Sequence, residues 1–163
     1  MRYILVLLLA GLYAFMECPD FLLDKHSWVA WLTYSFFHGN VFHWAANMLA
    51  LWSIFNPKHK HNARQLFIGY LIALAVYPLS FKPVVGISNI LYAVLGMRTP
   101  AFNHPWWEAP TTITFLVITI AMVFIPNISA VTHIASFALG TLLSCVNRGI
   151  TSLKNDYERA INQ

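Results

Sequence analysis

Charged residues are scarce in this sequence. They make up 10% of its 163 residues, whereas an ordinary soluble domain has about 25%. Hydrophobic residues make up 58% and aromatic residues 15%. A soluble fold of this size has too little interior to bury so much apolar surface. The composition therefore excludes a disordered protein, a coiled coil and a typical soluble enzyme, and it predicts a protein with several membrane spans.

Six apolar stretches account for most of the chain. They are, within a few residues, 3–16, 41–55, 65–81, 84–97, 111–125 and 130–146. Several are shorter than the roughly 20 residues that a helix needs to cross a bilayer, which suits a compact bundle that thins the bilayer locally. We expect an all-α polytopic membrane protein, with a six-transmembrane-helix bundle over residues 1–147 and a short helical tail over 148–163. The first stretch also resembles a signal peptide, but a retained span is favoured because six spans account for the whole chain.

The basic residues are distributed unevenly between the two sides of such a bundle. With the N-terminus in the cytoplasm, eight of the ten Lys and Arg residues lie inside, namely Arg2, Lys58, Lys60, Arg64, Arg98, Arg148, Lys154 and Arg159. Only Lys25 and Lys82 lie outside. Because cytoplasmic loops are enriched in Lys and Arg, both termini are predicted to be cytoplasmic. The sequence has no dense basic run, so no nucleic-acid partner is predicted.

The few polar side chains inside the apolar stretches share one depth. Such residues are costly within a membrane and usually functional. The second, fourth and sixth stretches run in the same direction, and each carries a polar pair near its outer end: His43 and Asn47, Ser88 and Asn89, Thr132 and His133. We expect these three helices to gather their polar side chains around one cavity in the outer half of the membrane.

This set of side chains is suited to nucleophilic chemistry. A serine hydroxyl is a weak nucleophile unless a base removes its proton, and His133 is the candidate base for Ser88. His43 and Asn47 are four residues apart, so they share a helix face and can both donate to an oxyanion. No Asp or Glu lies at this depth, so the sequence predicts a Ser-His dyad rather than a triad. Tyr92 follows Ser88 by four residues and can support the imidazole.

Four motifs match a known family in their order, spacing and position within the spans. They are TYSFFHG over Thr33–Gly39, HWAANM over His43–Met48, GISNILYAVLG over Gly86–Gly96 and THIASFALG over Thr132–Gly140. With these motifs, the chain resembles the rhomboid intramembrane serine proteases along essentially its whole length, in their minimal six-span bacterial form. The resemblance implies a rhomboid-like bundle, and it leaves the oligomeric state open.

The resemblance implies a role for each matching polar residue. Ser88 would be the nucleophile and His133 the general base. His43 and Asn47, together with the backbone N–H of Ser88, would form the oxyanion hole. In this family the fourth span begins in the middle of the membrane, below a water-filled cavity that opens to the outside, so water would reach Ser88.

Three further positions would support the site by the same resemblance. Tyr92 would stack on His133, and His38 would help to structure the approach to the second span. Gly86 would belong to a non-helical segment that is tolerated because it lines the cavity.

The sequence departs from the family pattern at three positions of the nucleophile and sixth-span motifs, and Val29-Ala30 stands where the family commonly has a Trp-Arg pair in the first outer loop. Asn89 replaces the glycine that usually follows the nucleophile, and we expect its side chain to narrow the substrate pocket or to add a hydrogen bond there. Thr132 and Ser136 replace the Ala and Gly of the sixth-span motif. Ser136 and Gly140 nevertheless form a face of small residues, which allows close approach to the fourth span.

The favoured function is an intramembrane serine endopeptidase that cleaves transmembrane protein substrates near the outer face of the lipid bilayer. Neither a metal nor an organic cofactor is expected, and the location implied is a bacterial inner membrane. The alternative is a catalytically inactive rhomboid-like protein that binds or escorts membrane helices, suggested by the three departures. A metal site of His38, His43 and His133 is disfavoured because no acidic ligand lies at that depth and no HExxH motif is present.

Overall fold

A computed structural model describes residues 27–38, 41–54, 62–80, 84–99, 117 and 129–162. In these ranges the chain forms helices and no strand, which confirms the predicted all-α class for this part of the chain. The helices are α1 (Trp28–Thr33), α2 (Val41–Ile54), α3 (Asn62–Val76), α4 (Ser88–Arg98) and α5 (Ala130–Ile161). Short 3-10 turns at Tyr34–Phe36 and Tyr77–Leu79 follow α1 and α3. The predicted first span and all of the fifth except Val117 lie outside the described residues.

One described helix is long and apolar enough by itself to cross a membrane. This helix is α5, with 32 residues and a mean hydropathy of 1.4 over its most apolar window. The α3 segment, Ala63–Leu79 with its 3-10 turn, is apolar but shorter. The 11 residues of α4 span only about 16 Å of a hydrocarbon core that is roughly 30 Å thick. The count of six spans stays a prediction.

Helix α4 forms the centre of the bundle. Every residue from Ser88 to Gly96 is buried, and α4 contacts both α3 and α5. A helix that is enclosed on all sides carries apolar residues around its whole circumference, and the four consecutive buried residues Ile90, Leu91, Tyr92 and Ala93 meet this requirement. The polar residues at its start, Ser88 and Asn89, are therefore enclosed as well.

Two glycines bring α4 and α5 into close contact. A Cβ atom on Gly140 would overlap the carbonyl oxygen of Ala93, and one on Gly96 would overlap the carbonyl oxygen of Phe137. Small residues let the backbones of two membrane helices approach closely. This contact sets the position of α5, and hence of His133, relative to α4.

Helix α1 is attached to α3 by side-chain hydrogen bonds. Trp31 Nε1 donates to the carbonyl oxygen of Leu74 at 2.8 Å, and the Tyr70 hydroxyl donates to the carbonyl oxygen of Leu32 at 2.7 Å. Leu74 lies in the last turn of α3, where carbonyl groups have no partner within the helix. These bonds hold α1, and with it the segment that follows, against α3.

The predicted tail is not separated from the sixth span. Helix α5 continues without interruption from Ala130 to Ile161, which is about 48 Å at 1.5 Å per residue. From Val146 onward its described residues are exposed. A glycine, Gly149, is present where the sequence becomes polar, but it lies within the helix and does not end it. The polar extension is therefore a continuation of the helix that forms the predicted sixth span.

Candidate active site

Ser88 and His133 are joined by a hydrogen bond. Ser88 Oγ lies 2.7 Å from His133 Nε2, and the two residues are 4% and 3% exposed. A neutral imidazole that carries its proton on Nδ1 accepts the hydroxyl proton at Nε2. The two side chains are 45 residues apart in sequence, and this is the geometry that a nucleophile and its general base require.

Both members of the pair lie at the start of a helix. Ser88 is the first residue of α4, after a turn at Ile87, and His133 lies in the first turn of α5. The Thr132 hydroxyl donates to the carbonyl oxygen of Ser129 at 3.0 Å, which holds the chain where α5 begins. The backbone N–H groups at a helix start lack partners within the helix, so the amide of Ser88 points away from α4.

Tyr92 packs against the imidazole of His133. The two ring centroids are 4.7 Å apart and the rings are inclined at 49°. Tyr92 is one turn after Ser88 on α4 and is 3% exposed. The Tyr92 ring therefore restricts the rotation of the imidazole on the side next to α4, as the sequence led us to expect of this position.

Gly86 lies directly against His43 and Asn47. Its φ is +109°, a conformation that side chains other than glycine rarely adopt. A Cβ atom at Gly86 would be 2.7 Å from Cε1 and 2.8 Å from Nε2 of His43, and 3.2 Å from Nδ2 of Asn47. The backbone two residues before Ser88 thus contacts both candidate oxyanion donors, and only glycine allows this approach.

The amide of Asn47 is buried without a hydrogen-bond acceptor. Asn47 is 6% exposed, and within the described ranges its Nδ2 atom has no partner. An unsatisfied buried donor costs about 1–3 kcal/mol, so its presence in a folded protein calls for an explanation. A donor that awaits an oxyanion is one such explanation, and it agrees with the role expected for Asn47.

The side chain of Asn89 is held in the helix bundle by a hydrogen bond. It is completely buried, and its Nδ2 donates to the Tyr34 hydroxyl at 3.2 Å. That hydroxyl in turn donates to the carbonyl oxygen of Ala73 at 2.8 Å. The amide of Asn89 therefore connects the first turn of α4 to α3 through Tyr34. A direct effect of Asn89 on the substrate pocket stays a prediction.

Tyr34 is the residue of this region that the sequence did not single out. Besides its hydroxyl bonds, its carbonyl oxygen accepts from the Gly86 N–H at 3.0 Å, and its ring packs on Tyr77 at 4.7 Å. Tyr34 therefore positions both Gly86 and Asn89. A tyrosine in so apolar a chain needs partners for its hydroxyl, but nothing in the sequence indicates partners 39 and 55 residues away.

We predict that Tyr34→Phe destabilises the protein by about 1–3 kcal/mol, because it leaves the buried Asn89 amide without its acceptor and the Ala73 carbonyl without its donor. The midpoint of thermal unfolding in detergent measures this loss. Tyr157→Phe is the matched control, since Tyr157 is 68% exposed and its hydroxyl should contribute nothing. Equal midpoints for the two variants would contradict the role given to Tyr34.

His38 lies next to His43 at the approach to α2. The two rings meet edge to face with centroids 5.4 Å apart, and His38 is 4% exposed at the approach to α2. In the part of the chain that the structure describes, no group of three His, Cys, Asp or Glu side chains could hold a metal ion.

The comparison with family models places the chain in a known family. A family model described as Rhomboid domain matches residues 25–149, which is more than half of the chain. The matched range contains Ser88, His133 and each supporting residue described above. A comparison with curated proteins gave no match. Because the family match covers most of the chain and the whole candidate site, the chain belongs to the rhomboid family of integral membrane proteins.

Proposed function

We propose that this protein is an intramembrane serine endopeptidase that uses Ser88 and His133 as its catalytic dyad. The observation that carries the proposal is the buried hydrogen bond of 2.7 Å between Ser88 Oγ and His133 Nε2. Rhomboid proteins are usually proteases of this kind, and a non-catalytic relative has no need to keep both side chains in bonding distance. Tyr92, whose ring packs on His133, acts as a positioning residue.

The proposed reaction has two steps. Ser88 Oγ attacks the carbonyl carbon of the scissile peptide bond while His133 Nε2 takes the hydroxyl proton. The tetrahedral intermediate collapses, the C–N bond breaks, and the imidazolium gives its proton to the leaving amine. In the second step, Nε2 takes a proton from water, whose oxygen attacks the acyl-enzyme ester. Collapse then releases the new carboxylate and returns the proton to Ser88 Oγ.

The negative charge of each tetrahedral intermediate is stabilised by donors beside Ser88. We assign this role to Asn47 Nδ2, to the His43 ring and to the backbone N–H of Ser88. The contacts of Gly86 with both His43 and Asn47 support the assignment, since Gly86 is two residues from the nucleophile. The start of α4 also favours a negative charge there, because the helix dipole is positive at its N-terminus.

The substrate has to displace side chains that surround Ser88 and His133. With Ser88 and His133 at 4% and 3% exposure, no peptide carbonyl reaches Ser88 Oγ until neighbouring side chains move. We propose that a transmembrane substrate helix approaches laterally from the bilayer, between the second and fifth spans, and unwinds to present a small residue. We also propose that this site lies near the outer face of a bacterial inner membrane, with both termini cytoplasmic. The distribution of Lys and Arg supports this orientation.

Asn47→Ala should lower kcat by about 10²–10³-fold, which is the usual cost of losing one oxyanion donor. The substitution removes a donor that has no partner among the described residues, so folding should be retained. Cleavage of a single-span substrate with small residues near the outer end of its helix, measured in proteoliposomes, reports kcat and KM separately. A change in KM with unchanged kcat would assign Asn47 to ground-state binding and contradict the oxyanion role.

The matched control is Asn155→Ala. Asn155 is exposed on the polar extension of α5, at a distance of 22 residues from His133 along that helix, or about 33 Å. This variant should cleave at the wild-type rate. Abolition of cleavage in Ser88→Ala, argued below, tests the protease proposal itself.

A further inference from the structure

A second polar site lies at the opposite end of the bundle from the dyad. It is a cavity of about 230 Å³ between α3, α4 and α5. Along α4, Met97 in its wall is nine residues from Ser88, which is about 14 Å. Along α5, Asn147 in its wall is fourteen residues from His133, or about 21 Å. The cavity is therefore near the other surface of the membrane and has no part in the proposed proteolysis.

One side of this cavity presents hydrogen-bond donors. Arg64, Gln65, Ser144 and Asn147 line it, and none of the described residues that line the cavity is acidic. Arg98 Nε donates to the Gln65 Oε1 at 2.8 Å. This bond occupies the acceptor oxygen of Gln65, so the NH₂ group of Gln65 is the part that can donate to a ligand. The same bond brings a second guanidinium, that of Arg98, next to the cavity. Two arginines with amide and hydroxyl donors are suited to a phosphate group.

The other side of the cavity is apolar. Ile68, Met97 and Leu143 line it, and Leu143 is 41% exposed on the outer surface of α5. The apolar side is therefore continuous with a surface that faces lipid in an integral membrane protein. A free phosphate ion has no apolar part that would contact this side, whereas an amphiphile contacts the polar and the apolar side of the cavity at once.

The size of the cavity also favours an amphiphile. Pockets that enclose a whole small molecule are usually about 300–1,000 Å³, so a cavity of about 230 Å³ encloses a headgroup and leaves the rest of the ligand outside. Basic pockets between membrane helices near the cytoplasmic surface bind anionic headgroups. The Lys and Arg distribution of this chain puts Arg64 and Arg98 on that side.

We propose that this cavity binds the phosphate group of an anionic phospholipid, with the headgroup against Arg64, Ser144 and Asn147 and the acyl chains along Leu143. The proposal does not depend on the chemistry of Ser88. It assigns a lipid site to the place where the start of α3 and the end of α4 meet the middle of α5.

The test is native mass spectrometry of the detergent-solubilised full chain, titrated separately with phosphatidylglycerol and phosphatidylcholine of equal chain length. We expect one phosphatidylglycerol to bind at least tenfold more tightly than phosphatidylcholine. Arg64→Gln should weaken phosphatidylglycerol binding by about five- to tenfold, since it removes the cation that lines the cavity. Ser144→Leu should give a similar loss by filling the cavity without changing the charge.

Lys154→Gln is the matched control for net charge. Lys154 is 72% exposed and pairs with Glu158 on the extension of α5, so binding should be unchanged. Equal binding of the two lipids, or an equal loss in Lys154→Gln, would overturn the proposal by showing general attraction to a basic protein. Displacement of phosphatidylglycerol by millimolar inorganic phosphate would overturn the lipid assignment and leave a free-phosphate site. Folding of each variant is checked by its thermal midpoint.

Discussion

Ser88→Ala should abolish cleavage of a transmembrane substrate, with a loss on the order of 10⁴–10⁶-fold, and His133→Ala should cause a loss of similar size. The reason is that nucleophile and base act as one unit, so removing either one costs nearly as much as removing both. The double variant should therefore be no slower than either single variant. Release of a cleaved fragment from a single-span substrate in proteoliposomes measures all three rates.

Two controls separate a catalytic loss from a folding defect. Ser152→Ala removes a hydroxyl from the exposed extension of α5 and should cleave at the wild-type rate. Ser88→Ala and His133→Ala each break the buried hydrogen bond of the dyad, which should cost about 1–3 kcal/mol of stability, so each variant is assayed below its own thermal midpoint, where it is folded. Cleavage by Ser88→Ala at the wild-type rate would refute the dyad.

Gly140→Ala should destabilise the protein by about 3 kcal/mol or more, at or beyond the upper end of the range for overpacked cores. The added Cβ would overlap the carbonyl oxygen of Ala93, and backbone on both sides leaves no flexible side chain to move away. Gly96→Ala should have a similar effect, because its Cβ would overlap the carbonyl oxygen of Phe137. Separation of α4 from α5 would also lengthen the bond between Ser88 and His133, so activity should fall together with stability.

Gly149→Ala is a control for which the expected change in stability has the opposite sign. It lies on the same helix as Gly140, and a Cβ there would meet nothing within 4 Å. Alanine in place of an exposed helical glycine stabilises by about 0.4–1 kcal/mol. The thermal midpoint should therefore fall for Gly140→Ala and rise slightly for Gly149→Ala. A shift of the same sign and size in both variants would mean that the close contact of α4 with α5 is not needed for stability.

The sequence was sufficient to predict the pairing of Ser88 with His133. Polar residues are so costly in apolar helices that these two stood out, and the common direction of their helices put them at one depth. The same reasoning paired His43 with Asn47. The start of α4 at Ser88 also agrees with the non-helical segment that the family resemblance implied before it.

The contacts of Asn89 could not be predicted in the same way. Its partner, Tyr34, is 55 residues away in a segment whose position depends on bonds to the last turn of α3. Sequence periodicity describes one helix at a time and gives no information on which carbonyl group a distant hydroxyl reaches. For the same reason, the glycine contacts across α4 and α5 were expected only as a face of small residues.

The uninterrupted length of α5 cannot be predicted from hydropathy. Hydropathy falls near Arg148, but it reports the surroundings of a helix and not where its backbone hydrogen bonds end. Helix formers and pairs such as Lys154 with Glu158 continue the helix in water. The cavity beside Arg64 likewise depends on the ends of α3 and α4 meeting the middle of α5, which no single segment reveals.

The most direct test of the central claim is the reaction of the purified protein with a fluorophosphonate probe, with the adduct located by peptide mapping. The account predicts a single adduct on Ser88, which is absent in Ser88→Ala and formed at least a hundredfold more slowly in His133→Ala. An unmodified Ser88 in a folded sample that cleaves substrate, or equal labelling of Ser88 with and without His133, would contradict a serine activated by His133.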